Sequence, residues 1–228
     1  TRAAPVAWWS GIIIHRFLRT AEDKFWQGMA DIQTGRVWRG FRLINSALNN
    51  APEAGTVVEP QHIIKAVEAL KGIGTYKALT AAMELAKNLG DKKVLADLYL
   101  ARGSVDKPAG IMGTIWKPWK AAELNEARKK EDLVKAKETD GSAIVSANEK
   151  ITALNNAEIS KIDSIDRANF IKYDTMGRFR KFLTRKIFHP FTTFADPDEK
   201  IAALFVENAS LAEGSIDALD KERTTTTD

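Results

Sequence analysis

The residue types that most often carry chemistry are scarce or scattered in this chain. There are three histidines, His15, His62 and His189, in three separate neighbourhoods. Neither an HxxxH nor an HExxH spacing occurs, so no pair is set to share a metal on one helix face. Each could ligate a metal or a pigment magnesium singly, but a helix-start, surface or core histidine is the simpler account. Cysteine is absent, which removes disulfides, thiolate nucleophiles, Fe–S clusters and cysteine-based zinc sites together. The segment GTYKALT, Gly74 to Thr80, lacks the full phosphate-loop pattern, and no GxSxG elbow is present. Carboxylates are plentiful, but none stands alone in an apolar setting that would mark a catalytic pair. Asp163 and Asp166 share their helix with Lys161 and Arg167, and solvated helix charge explains them.

Two stretches are built for binding rather than catalysis. RFRKFLTRKIF, Arg178 to Phe188, interleaves bases with aromatics. Arg178, Phe179, Arg180, Lys181 and Phe182 form its densest part. Such a mix contacts phosphates and stacks on bases; it serves equally as an amphipathic helix with bases snorkelling over a buried aromatic face. No named RNA- or DNA-binding motif is complete, so the second reading is preferred. The other stretch is the N-terminal arm, TRAAPVAWWSGIIIHRFLR. Adjacent Trp8 and Trp9 point in different directions on any regular element. An arm packed on the chain's own core is one reading; with Ile13 and Phe17 the pair equally suits a partner surface or a membrane boundary, where an apolar body with an N–H donor is favoured. Trp116 and Trp119 place the same chemistry in and just beyond the Gly- and Pro-rich connector 103–118.

The elements that must carry these residues are helices. Ile63, Ile64, Val67 and Leu70 share one helix face; Tyr76, Leu79, Met83, Ala86 and Leu89 repeat the pattern. Val94, Leu95, Leu98 and Tyr99 begin it again, with Gly72, Gly74 and Gly90 as breaks. Antiparallel packing of these runs makes a central helical core over residues 60–102. Residues 1–50 read as an arm and a helical hairpin broken at Gly35. Residues 117–223 read as charged and long C-terminal helices. The first of these carries a thin stripe of Leu124, Ala127 and Val134. Ile144, Ile151, Leu154, Ile162 and Ile165 then follow a near-heptad pattern that Asn148, Asn155, Asn156 and Asn169 interrupt. Asp196-Pro197-Asp198-Glu199 is a helix start. The expected fold is all-α: an irregular multi-helix array with a central group of short helices, long C-terminal helices and extended apolar arms, forming one structural unit.

Composition agrees with a folded protein, with hydrophobic residues at 44% and charged residues at 28%. Charge is unevenly spread. Residues 167–189 hold seven Lys/Arg and one acid, whereas residues 190–228 hold nine acids and three bases, so the two segments complement each other. The most apolar run, Val6 to Leu18, is too short to span a bilayer and contains His15 and Arg16. A first residue of Thr fits a mature form that has lost a targeting segment, or a trimmed chain.

These features lead to a non-catalytic structural or linker subunit of a larger organellar membrane complex. The expected setting is the bridge between a photosystem core and its light-harvesting antenna, peripheral to the plastid thylakoid. An accessory subunit of a mitochondrial inner-membrane respiratory or ATP synthase complex is the alternative, and a basic helical RNA- or DNA-binding protein ranks below both. No intrinsic cofactor and no metal are expected; chlorophyll or carotenoid would be touched only at an interface.

Overall fold

The computed structural model describes residues 21–50, 58–110, 118–178, 181 and 196–225. The fold is all-helical, as the periodicities require, and no strand occurs among the described residues. Contacts divide the chain into two compact units, Thr1–Asp140 and Gly141–Asp228.

The first unit opens with α1 (Ala21–Gln33) and α2 (Val37–Asn50). Phe25, Met29 and Ile32 of α1 are buried, as are Phe41 and Ile44 of α2. The close crossing depends on two glycines. A Cβ placed on Gly28 would lie 2.7 Å from Ile44 Cγ1 and 2.8 Å from the Gly40 carbonyl oxygen. One placed on Gly40 would lie 2.5 Å from the Gly28 carbonyl oxygen. The helices therefore touch backbone to backbone, which only Gly permits here.

The central helices are α3 (Pro60–Ile73), α4 (Tyr76–Lys87) and α5 (Lys92–Gly103). Pro60 suits the first turn of α3, where its missing N–H costs nothing. Gly74 ends that helix at φ 68° and donates its N–H to the Lys71 carbonyl. Gly72, expected as a break, lies inside α3. Thr75 caps α4 by accepting from the Ala78 N–H at 3.3 Å. Asp91 caps α5 through the N–H groups of Lys93 and Val94, at 2.9 and 3.2 Å. Ile63, Val67 and Leu70 are buried as expected, with Ala66 added. Ile64 is turned outward and is 43% exposed. Leu79, Met83 and Ala86 complete the core with Ala78, Ala81, Ala82, Leu85 and Leu98.

The charged helix α6 (Pro118–Thr139) packs in this first unit, against α5. Its inward face is not the expected stripe. Leu124 and Val134 are 61% and 41% exposed, whereas Asp132, Leu133 and Ala136 are buried. Gly103 makes room for Leu133, whose Cδ2 would sit 2.8 Å from a Cβ at that position.

The second unit contains a 3-10 turn (Gly141–Ala143), α7 (Ile144–Lys161), a π-helical turn (Ile162–Asp166), α8 (Arg167–Asp174) and α9 (Pro197–Thr225). Asp196 starts α9, its carboxylate accepting from the Asp198 N–H at 3.0 Å. α7 and α9 pack along a shared seam. Ile151 and Ile162 are buried in it, but Ile165, within the π turn, is 55% exposed. The wider turn carries the near-heptad row off the seam.

The glycine crossing sets a direct expectation. Gly40→Ala should destabilise the first unit, because overpacking costs about 1–3 kcal/mol. Against a backbone oxygen that outweighs the ~1 kcal/mol of helix propensity gained. Urea melts of the wild type and G40A would show it as a lower midpoint; an unchanged or higher midpoint would mean that the crossing relaxes freely.

Candidate interaction surfaces

The densest charged cluster of the first unit fastens α6 to α5. Arg102, in the last turn of α5, grips Asp132 with both ends of its fork. Nε donates to Oδ2 at 3.0 Å and Nη2 to Oδ1 at 2.6 Å. Arg128, one turn before Asp132 on α6, donates to Oδ2 at 2.7 Å. Its other nitrogen donates to the Val105 carbonyl at 2.6 Å and to Asn125 Oδ1 at 3.0 Å. Asn125 in turn holds Asp106 and the Lys107 N–H, and Lys129 pairs with Asp106. The Arg128 and Arg102 guanidiniums lie 4.7 and 5.7 Å from the centre of the Tyr76 ring.

The electrostatics follow from this geometry. Burial pulls the Arg102 pKa down, but the hydrogen bonds and charge of Asp132 push it up further, and the net direction is up. The Lys129 hydrogen bond and charge hold Asp106 below the usual carboxylate value. Asp132 spends both oxygens on arginine, and arginine does not deprotonate in proteins. The cluster is therefore a fastening with no free base or nucleophile. Among the described residues no group of three His, Asp or Glu is placed to hold a metal ion.

Large aromatics of the first unit reach solvent. Trp26 is 44% exposed and stacks edge-on to Phe25 and to His62, with ring centres 5.5 and 5.1 Å apart. His62 is thus engaged in aromatic packing. Trp38 is 53% exposed and lies over Phe41. Arg36 and Arg39 turn to Asp31, Arg39 at 3.1 Å.

The seam of the second unit is partly polar. Ile201, Leu204, Asn208, Leu211, Ser215 and Ala218 are the covered positions of α9 between its first turn and Leu219. Opposite them, Asn148 donates to the Leu211 carbonyl at 3.0 Å and to Ser215 Oγ at 2.7 Å. Asn155 donates to Asn208 Oδ1 at 3.0 Å, and Asn208 donates onward to Asn156 at 3.2 Å. Three of the four asparagines that interrupt the apolar repeat, Asn148, Asn155 and Asn156, are thus its interhelical hydrogen-bonding partners. At the N-terminal end of α9, Arg167 bridges Asp163 and Asp198 at 2.9 and 2.6 Å. Lys200 pairs with Asp166 at 3.7 Å. Phe205, Val206, Ile216 and Leu219 of α9 stay 51–70% exposed. An open groove of about 470 Å³ lies between α7 and α9, lined by Ile159, Asp163, Arg167, Asp198, Ile201 and Phe205 among others.

Of the binding residues expected from sequence, Trp8, Trp9, Ile13, Phe17, Trp116, Phe179, Arg180 and Phe182 lie outside the described residues, as do His15 and His189. Trp119 falls in the first turn of α6. Arg178 is exposed. Lys181 is paired with Asp174 at 2.9 Å and lies over the Tyr173 ring at 5.5 Å. The Arg102–Asp132–Arg128 cluster was not foreseen. Its only sequence signal is the i,i+4 spacing of Arg128 and Asp132, which is common on solvated helices. The apolar residues of α9 are visible in sequence, but their division into a covered and an exposed row is not. No family model, no curated protein and no solved structure matches this chain.

The clamp makes a sharp prediction. Asp132→Ala leaves two half-buried guanidiniums without their carboxylate and should cost about 3–5 kcal/mol. Glu131→Ala, one residue away on the exposed side and paired with Lys135, should leave the midpoint nearly unchanged. Paired urea melts separate the two; equal losses would show that Asp132 is no more than another surface charge.

Proposed function

We propose that the chain is a non-catalytic structural subunit that joins partner proteins within a larger organellar membrane complex. One observation carries the reading. Beside an apolar core, charged and amide groups hold particular helices together, while several large apolar side chains face outward. Asp132 and Asn155 are 2% and 0% exposed; Trp38, Phe205 and Val206 are 53%, 59% and 70% exposed. A surface of this kind supports binding to other proteins. Among the described residues no helix is long and apolar enough to cross a membrane, so those helices would engage a membrane complex from its periphery.

The specific setting put forward is a bridge between a photosystem core and its light-harvesting antenna. Its support is the sequence of the arm and connector, where Trp8, Trp9, Trp116 and Trp119 offer flat apolar rings with one polar edge. Such rings pack against other subunits and against pigment rings at an interface. The chain itself would carry no cofactor.

Purification of the native protein from its source tests the setting directly. Photosystem and antenna subunits with chlorophyll should co-purify; respiratory or ATP synthase subunits would move the proposal to a mitochondrial membrane. Replacing both Trp8 and Trp9 by Ala should release the chain from its complex on native gels while its helical circular dichroism is kept. Burial of large apolar groups on a partner is worth about 1.5–3 kcal/mol each. A double variant that stays bound but loses its helical signal would assign the arm to internal packing and overturn the interface role.

A further inference from the structure

α9 carries two apolar rows, and its partner α7 covers one of them. The covered row is Ile201, Leu204, Asn208, Leu211, Ser215 and Ala218. The second row is Ala202, Phe205, Ala209, Ala212, Ile216 and Leu219. It repeats the same alternation of three- and four-residue steps, displaced by one residue and therefore by about 100° around the helix. Every member of this second row is exposed. A surface helix with a single partner needs one stripe; two adjacent heptad rows are the pattern of a helix in a bundle of three or more. The groove lined by Ile159, Ile201 and Phe205 lies where a third helix would begin to seat between α7 and α9.

Charge states what kind of helix fits. The positions flanking the open row on its outer side recur every seventh residue as Glu199, Val206, Glu213 and Asp220. All four are exposed, and the three acids form no ion pair among the described residues. The bases of α9 with described side chains, Lys200 and Lys221, lie at the next heptad position round, away from the row. A second copy of α9 would set these acids against acids, and like charges oppose association.

We infer that the open face of α9 is a docking site for a basic amphipathic helix of a partner protein, seated along Phe205, Ile216 and Leu219 and entering the groove between α7 and α9 at Phe205. The partner helix would present an apolar heptad row flanked by Lys or Arg facing Glu199, Glu213 and Asp220. This deepens the structural-subunit reading and rests on its claim of partner binding, not on the photosynthetic setting.

Two synthetic helices of equal length and identical apolar heptads, one flanked by Lys and one by Glu, serve as probes for the full chain. Fluorescence anisotropy should show the Lys-flanked helix binding at least about tenfold tighter, with the preference shrinking in high salt. The triple charge reversal Glu199→Lys, Glu213→Lys, Asp220→Lys should invert the preference. The pair Phe205→Ala, Ile216→Ala should abolish binding of either probe with unchanged circular dichroism. Equal affinity for the two probes, or no binding, overturns the inference. So does a chain dimer that the Phe205→Ala, Ile216→Ala pair dissolves, since a second copy then fills the face. Binding that emerges only after Arg178, Arg180, Lys181, Arg185 and Lys186 are replaced by Ala also overturns it, by assigning the face to this chain's own basic segment. If the probes behave as expected but the native chain co-purifies with no partner, the docking face stands and the structural-subunit reading fails.

Discussion

The Arg102–Asp132–Arg128 cluster decides how α6 lies in the first unit. Among its described side chains that helix has little apolar surface to contribute: Leu133 and Ala136 are the buried hydrophobics. Burying a carboxylate is costly unless its lone pairs are filled, and Asp132 meets that condition with three arginine hydrogen bonds from two guanidiniums. The geometry turns the expensive group inward and leaves Leu124 and Val134 in solvent. Gly103 is the complementary constraint, because the Leu133 side chain occupies the place where a Cβ would stand. Arg128, which also donates to Asp132, holds the Val105 carbonyl, so the turn after α5 is tied to the helix that follows it.

The second unit uses polar groups in its interior in a different way. Asn148 and Asn155 sit at seam positions where Leu or Ile would pack with more stabilisation. Each uses its amide N–H₂ on α9, and neither Oδ1 accepts a hydrogen bond among the described residues. An unfilled buried acceptor costs about 1–3 kcal/mol. What the asparagines contribute is register: they match Asn208, Ser215 and the Leu211 carbonyl only when α7 and α9 are aligned as observed. Sliding either helix by one heptad would strand them.

Both units therefore use polar groups between particular helices and leave some large apolar side chains outside, although the first unit also keeps an ordinary apolar core. The polar fastenings have a physical use. A fastening made of hydrogen-bonded charges or amides holds neighbouring helices at one alignment, and on α6 it leaves Leu124 and Val134 exposed. Phe205, Ile216 and Leu219 on α9, and Trp26 and Trp38 in the first unit, are likewise exposed.

Sequence by itself determined the helical class and several of the helix ends. The spacing of Phe25, Met29 and Ile32, the Thr75 and Asp91 caps and the Gly74 stop are local properties, written in periodicity and backbone preference. The all-α class followed from them. The candidate surfaces were legible only in part. That α9 was apolar could be read; that its apolar residues form two rows, one covered and one open, depends on where α7 lies. The inward face of α6 was misread because a hydrophobic count cannot anticipate a buried carboxylate, whose burial becomes affordable only beside Arg102, thirty residues away in the chain. The asparagines at 148 and 155 looked like interruptions for the same reason: their partners at 208, 211 and 215 are on another helix. Local propensity is a property of a segment and is visible in sequence. Satisfaction of a buried polar group is a property of two segments, and only the tertiary structure decides it.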